Sequence, residues 1–232
     1  MPTPNYAIEW DQDGHRQFET GTDRGVLYVM SSGVYGDGVA WNGLTAVTES
    51  PSGAEANAIY ADNRKYAELR SAEEFGCTIE AYTYPDEFAV CDGSAELVSS
   101  SGLYIGQQDR SKFGFSYRTK VGTDTDVSAS GDYKIHIVYG CTASPSEKSY
   151  QTINDSPEAI TFSWEVTTTP VEVSGFNPTS VVTIQKSKAD ATKFANLEAM
   201  LYGTAGDSSA SPVVDPVPGK LPSIQELVTM FS

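Results

Sequence analysis

The chain has 232 residues, 39% of them hydrophobic, enough to bury a core in one large β domain or two small ones. Its 31 acids against 15 bases give a formal net charge of −16, which argues against sequence-specific nucleic-acid binding, since that needs basic stripes. No apolar run approaches the ~18 residues of a membrane span, and the N-terminus, MPTPNYAIEWDQDG, has acids where a secretory signal would be basic and then apolar.

In chain order, Glu9, Asp11, Asp13 and Gly14 sit at the first, third, fifth and sixth positions of a calcium loop. Thr20 stands where the bidentate glutamate belongs, so a polar turn is expected. Residues 26–30 (VLYVM) read as a strand. Residues 31–57 form a long excursion of the kind that is usually functional or an interaction arm. Its glycines, Gly33, Gly36 and Gly38, are not followed by Gly-Lys-Ser/Thr, so no phosphate cradle is expected. Within it, Val39-Ala40-Trp41 and Leu44-Thr45-Ala46-Val47 flank Asn42-Gly43, the preferred two-residue hairpin turn. A hairpin is expected there, with Trp41 near its tip either an anchor for a neighbour's pocket or folded back on its own core.

Residues 64–69 and 77–84 read as strands. Between them, 71–76 (SAEEFG) reads as one capped helical turn, with Glu73 and Glu74 complementing the helix dipole. From Glu49 to Glu96 there are eleven acids and three bases, a surface that either is simply solvated or meets a basic face on another copy. In 112–120, Phe113, Phe115 and Tyr117 alternate with polar residues, and Arg110, Lys112, Arg118 and Lys120 offer such a basic face. In 133–139, Ile135, Ile137 and Tyr139 point one way, with Lys134 and His136 opposite. In 158–167, Ile160, Phe162, Trp164 and Val166 make an apolar face. A last strand is expected at 181–186. Seven or more such strands with turns between them point to a sandwich or barrel.

A helix is expected over 188–202, with Ser187 and Asp190 fitting a capping box, Ala191, Phe194, Leu197 and Leu201 on one face, and Gly203 as its stop. Residues 203–220 read as a Gly/Ser/Pro linker. In 221–232, Ser223 and Glu226 fit a second capping box, and Ile224, Leu227, Val228 and Phe231 form an apolar face. So short a helix is not stable alone in water, so it docks on its own domain, on another copy or on a partner.

The three cysteines, Cys77, Cys91 and Cys141, lack zinc or redox spacing and read as buried small hydrophobes or surface thiols, although a Cys77–Cys91 bridge is open. His136 lacks a nucleophile and an orienting acid in any recognisable arrangement, and no G-x-S-x-G occurs. No enzyme, metal site or cofactor is expected.

Several long strings carry a more specific signal. Residues 19–28 (ETGTDRGVLY), 33–55 (GVYGDGVAWNGLTAVTESPSGAE), 60–66 (YADNRKY) and 71–88 (SAEEFGCTIEAYTYPDEF) resemble the major tail proteins of long-tailed, non-contractile bacteriophages. The likeness continues through 113–118, 133–140 and 160–169, and spans roughly residues 6–200. The resemblance implies a mainly β fold of two packed antiparallel sheets, a β-sandwich or barrel, with a flanking α-helix. It implies hexameric rings stacked into a hollow tail tube, with a long loop reaching to the adjacent ring. The implied partners are other copies, the tape measure protein, the tail terminator and the tail-tip or distal tail proteins. Viral DNA would pass through without specific binding, no membrane would be involved, and the place would be the virion tail, assembled in the host bacterial cytoplasm.

On this reading residues 1–202 form the body, 31–57 its extended arm, 203–220 a linker and 221–232 a C-terminal helix or arm. Contacts between copies are expected at Tyr35, Trp41, Asn42, Gly43, Leu44, Glu73 and Glu74, at the bases Arg110, Lys112, Arg118 and Lys120, and along Ile224, Leu227, Val228 and Phe231. The alternative from another class is a monomeric β-sandwich recognition module that binds carbohydrate or a receptor.

Overall fold

A computed structural model describes residues 8, 10–129, 131–152, 158–206 and 214–232. Glu9 and residues 207–213 of the expected linker lie outside the described residues. The strands are β1 (Gln17–Ser31), β2 (Val34–Tyr35), β3 (Val39–Trp41), β4 (Leu44–Glu49), β5 (Ser52–Gly53), β6 (Ala56–Ala61), β7 (Arg64–Arg70), β8 (Glu73–Glu74), β9 (Gly76–Ala81), β10 (Ala95–Glu96), β11 (Tyr104–Ile105), β12 (Phe113–Thr123), β13 (Asp132–Ala143), β14 (Phe162–Thr168) and β15 (Val181–Gln185). The helices are α1 (Ala191–Tyr202) and α2 (Ile224–Phe231), with a short helical turn at Asp86–Val90.

The fold is mainly β. Nine strands form one antiparallel sheet in the order β2-β1-β12-β13-β14-β9-β4, with β3 also on β1 and β15 also on β13. The sheet curls over until its two ends meet, since Gly25 on β1 lies against the side chain of Leu44 on β4. Its inner face closes around Leu27, Trp41, Ile79, Phe113, Phe115, Val138 and Trp164, and Phe88 from the helical turn plugs the same core. All three cysteines are buried and free, so no bridge joins Cys77 to Cys91. Burial pushes the Cys77 and Cys91 thiols up to about 12, which keeps them protonated and inert.

The outer face is covered as well. Tyr28, Ile135, Ile137 and Tyr139 pack under Phe194, Leu197 and Leu201 of α1 and under Leu221, Ile224 and Leu227. The two faces of β12 and β13 are therefore both buried, and the alternation in the sequence sorts residues between two cores rather than between core and water. The face formed by Ile135, Ile137 and Tyr139 meets the helices, while His136 and Val138 look inward.

The second helix is capped as expected, but the expected Ser187–Asp190 capping box does not form: the first helix begins at Ala191 with Asp190 as its cap, and Ser187, in the short turn Lys186–Lys188, bonds Asp132 instead. Asp190 accepts from the N–H groups of Thr192 and Lys193, each at 3.0 Å, and Ser223 and Glu226 form a reciprocal capping box. The second helix docks on its own chain. Thr204 bridges Val217, the Lys220 N–H donates to Met200 O (2.7 Å), and Tyr139 donates its hydroxyl proton to Pro222 O (2.9 Å). Leu221 crosses the sheet over Gly114, where any Cβ would collide with it. Ile224 and Leu227 are buried, Phe231 is partly buried against the same core, and Val228 stays exposed.

Two local expectations are overturned. Asn42-Gly43 does not close a hairpin, because β3 pairs with β1 and β4 with β9. Only Gly43 of the two takes a positive φ, so the dipeptide is a corner that hands the chain from one strand neighbour to another. Residues 71–76 are not a helical turn: Glu73 and Glu74 form β8, paired with β5. Among the described residues no helix is long and apolar enough to cross a membrane.

Candidate assembly surfaces

Trp41 is 3% exposed, its ring 4.6 Å from that of Phe88 and 5.5 Å from those of Phe115 and Trp164. Its indole N–H donates to Thr83 O at 3.0 Å. It is a core residue and not an exposed anchor, because β3 is recruited into the curled sheet. Asn42, Gly43 and Leu44 line an open groove of about 510 Å³ beside Arg24 and Tyr202. The Tyr35 hydroxyl accepts from the Gly140 N–H (2.9 Å), which ties β2 to the body. The excursion thus rejoins the sheet by Glu49.

The part that leaves the body comes next. The chain departs at Glu49 and returns at Gly76, where the Ser50 N–H donates to Gly76 O at 2.8 Å. The β5–β8 ladder makes the neck. Gly53 there has φ 82°, and any Cβ would meet the Ala72 carbonyl, so the neck requires glycine. Beyond it, β6 and β7 pair with each other and, among the described residues, with no other strand. Their turn is Asp62-Asn63, with φ of 51° and 58°, the doubly left-handed turn that suits the strand twist. Asn42-Gly43 carries the stronger turn signal in the sequence because Gly adopts positive φ more readily. The Asp-Asn pair between Ile59-Tyr60-Ala61 and Arg64-Lys65-Tyr66 was the available signal.

A bulge between Ile59 and Tyr60 leaves Tyr66 outside the pairing and sorts the rest into two faces. One carries Ile59, Ala61, Ala67 and Leu69, with Asn57 and Arg64. The other carries Tyr60 and a cluster in which Lys65 and Arg70 both pair with Glu68. Ile59 is 40% and Leu69 58% exposed. A lone two-stranded ribbon is marginal in water, so this apolar face needs a cover that the described chain does not supply.

A second feature projects from the segment 82–110. Tyr84 stacks edge-on against Phe162 and Trp164, and Asp92 is buried with Arg110 (3.6 Å) and Lys148 as its ion partners. From this base β10 and β11 form a short hairpin whose turn is tied by Glu96, which accepts from the N–H groups of Ser101 (2.8 Å) and Gly102 (3.0 Å). Leu97, Val98 and Leu103 are each more than half exposed on it.

The four expected bases do not make one face. Arg110 is held by Asp92 and donates to Ala143 O (3.1 Å), and Lys112 donates to Thr169 Oγ1 (2.9 Å). Arg118 makes a bidentate pair with Asp23 (2.6 and 2.7 Å) and lies over the Tyr133 ring. That pairing holds the Asp23 carboxyl below the usual carboxylate range. Lys120 is partly buried further along the same strand. Bases and acids four or more residues apart in sequence have found each other across strands, which spacing could not foretell. Asp124 likewise reaches Arg16 from far along the chain, joining the sequence neighbours Asp11 and Asp13.

His136 stacks on Tyr117 with centroids 4.7 Å apart, its Nε2 2.9 Å from Thr119 Oγ1 and its Nδ1 3.2 Å from Thr183 Oγ1. Glu49 accepts the Tyr117 hydroxyl proton at 2.6 Å. The histidine is satisfied and buried. A scan of protein-family models finds no match to this chain, and a search of curated proteins returns no significant match.

Proposed function

We propose that the chain is a structural subunit that joins copies of itself head to tail, as the tail tube subunits of long-tailed, non-contractile phages do. The observation that carries this reading is the arm formed by β5 to β8. It is a ribbon with an uncovered apolar face, set on a body whose own two cores are complete. A surface of that kind is satisfied by another molecule, and an arm on one end of a subunit is a means of holding a stack together.

In that role rings of the β body stack into a hollow tube. The tape measure protein occupies the lumen during assembly, and terminator and tail-tip proteins close the ends. The acidity supports the role too: a wall rich in carboxylates offers DNA no cationic phosphate contacts, so the genome slides without sticking. The motif strings that resemble this family span the body and the arm alike.

Deleting residues 56–70 and joining the neck with a short Gly-Ser turn tests the reading. The variant is expected to melt at the same temperature as the full chain and to stay one chain in mass by sedimentation at concentrations where the full chain associates. Association equal to that of the full chain would contradict the reading.

A further inference from the structure

We infer that the arm of one copy seats on the β10–β11 hairpin and the adjoining Asp86–Val90 turn of another copy; this deepens the head-to-tail reading above and rests on it. Three observations converge. The first is position. The arm springs from the Gly76 end of β9, and the segment bearing β10 and β11 springs from its Ala81 end. The two features therefore leave opposite ends of the same strand, so one copy's arm meets another copy's hairpin in a repeating, heterologous contact, the kind that builds rings or open stacks.

The second is apolar match. The arm exposes Ile59 and Leu69 on one face, and the hairpin exposes Leu97, Val98 and Leu103. Neither patch has a cover among the described residues.

The third is charge. Residues 56–70 carry three bases and two acids, whereas residues 82–110 carry five acids and a single base. Inside one chain the pairing is already partly used: Glu68 takes Lys65 and Arg70, and Asp92 takes Arg110 and Lys148. What is left over is complementary. On the arm Arg64 and Asp62 flank the turn unpaired and cancel, and Lys65 and Arg70 share the single carboxylate of Glu68, which leaves one positive charge; on the receiving side Asp86, Glu87 and Asp109 are exposed and make no ion pair among the described residues. An arm with one net positive charge beside an apolar strip thus faces an acidic ledge beside another apolar strip. Such charge matching sets orientation and on-rate while the apolar strips supply the burial.

The test is charge exchange in the full chain. Arg64→Glu with Lys65→Glu reverses the arm, and Asp86→Lys with Glu87→Lys reverses the ledge. All four positions are exposed, and a circular-dichroism melt checks that each variant folds. Each reversed chain alone is expected to need a concentration at least about tenfold higher to associate, because like charges replace opposite ones at the contact. Mixing the two variants one to one, or placing all four changes in one chain, is expected to restore association. Variants that associate as the full chain does would overturn the docking while leaving the head-to-tail reading standing. Loss in both variants without rescue on mixing would also overturn it. Restored association that yields small closed oligomers in place of tubes would support the docking and contradict the tube. A full chain that stays a single copy at every concentration would overturn both.

Discussion

At the scale of single residues, Trp41 illustrates how tertiary recruitment overrides local pattern. Its ring sits among Phe88, Phe115 and Trp164 and its N–H is satisfied by Thr83. Trp41→Ala should therefore destabilise the folded chain by about 3–5 kcal/mol, the range for emptying a large aromatic from a core. The measurement is denaturant unfolding of the monomer; a change below about 1 kcal/mol would place the ring outside the core. His136 is the second informative residue. Burial lowers its pKa below the ordinary 6.5, against the opposing pull of Glu49 and Glu19 and with a smaller contribution from Lys134. The unfolded chain thus takes up a proton that the folded chain resists, so stability falls as the pH drops below 6.5 toward the depressed value. His136→Asn should flatten that part of the stability–pH curve. An unchanged slope between pH 6.5 and 5 would refute the assignment.

At the scale of elements, the C-terminal helix and the arm have opposite standings. The sequence leaves open whether the helix docks on its own domain, on another copy or on a partner, because a short amphipathic helix after a Gly/Ser/Pro stretch shows no visible partner. The partner is the outer face of the sheet, which carries Ile135, Ile137 and Tyr139 on β13 but reads as neutral or polar on β12: Gly114 leaves room for Leu221, and Tyr139 reaches Pro222. Leu227→Ala should cost about 2–5 kcal/mol, and removal of 221–232 should lower the melting temperature sharply, since both uncover the second core. A truncated chain that melts like the intact one would show that the helix is dispensable for folding. The strands of the sheet's centre are legible, because β12, β13 and β14 each carry a clear period of two. Their sorting between two cores is not, because a sheet buried on both faces shows the same alternation as one half-exposed. The arm was misplaced for a different reason: Asn42-Gly43 has the stronger turn chemistry, yet β3 finds a better neighbour in β1 than in β4.

At the scale of the whole molecule, two completed cores leave the chain with no need for a partner to fold, and one ribbon leaves it with an unmet need for a partner to cover. A net charge of −16 disperses copies by mutual repulsion. Association must then come from a local contact strong enough to overcome that repulsion, and the arm and the acidic hairpin at the two ends of β9 are the surfaces suited to supply it. Residue spacing could reveal the charge imbalance but not its division between the two ends, since that depends on which bases are already paired across strands. On the proposed function, copies join end to end into a hollow tube. Negative-stain electron microscopy of the concentrated full chain tests it most directly. Hollow tubes of uniform width, or the rings from which they are built, are the predicted result. A field of single globules at every concentration, with no rings and no tubes, would contradict it.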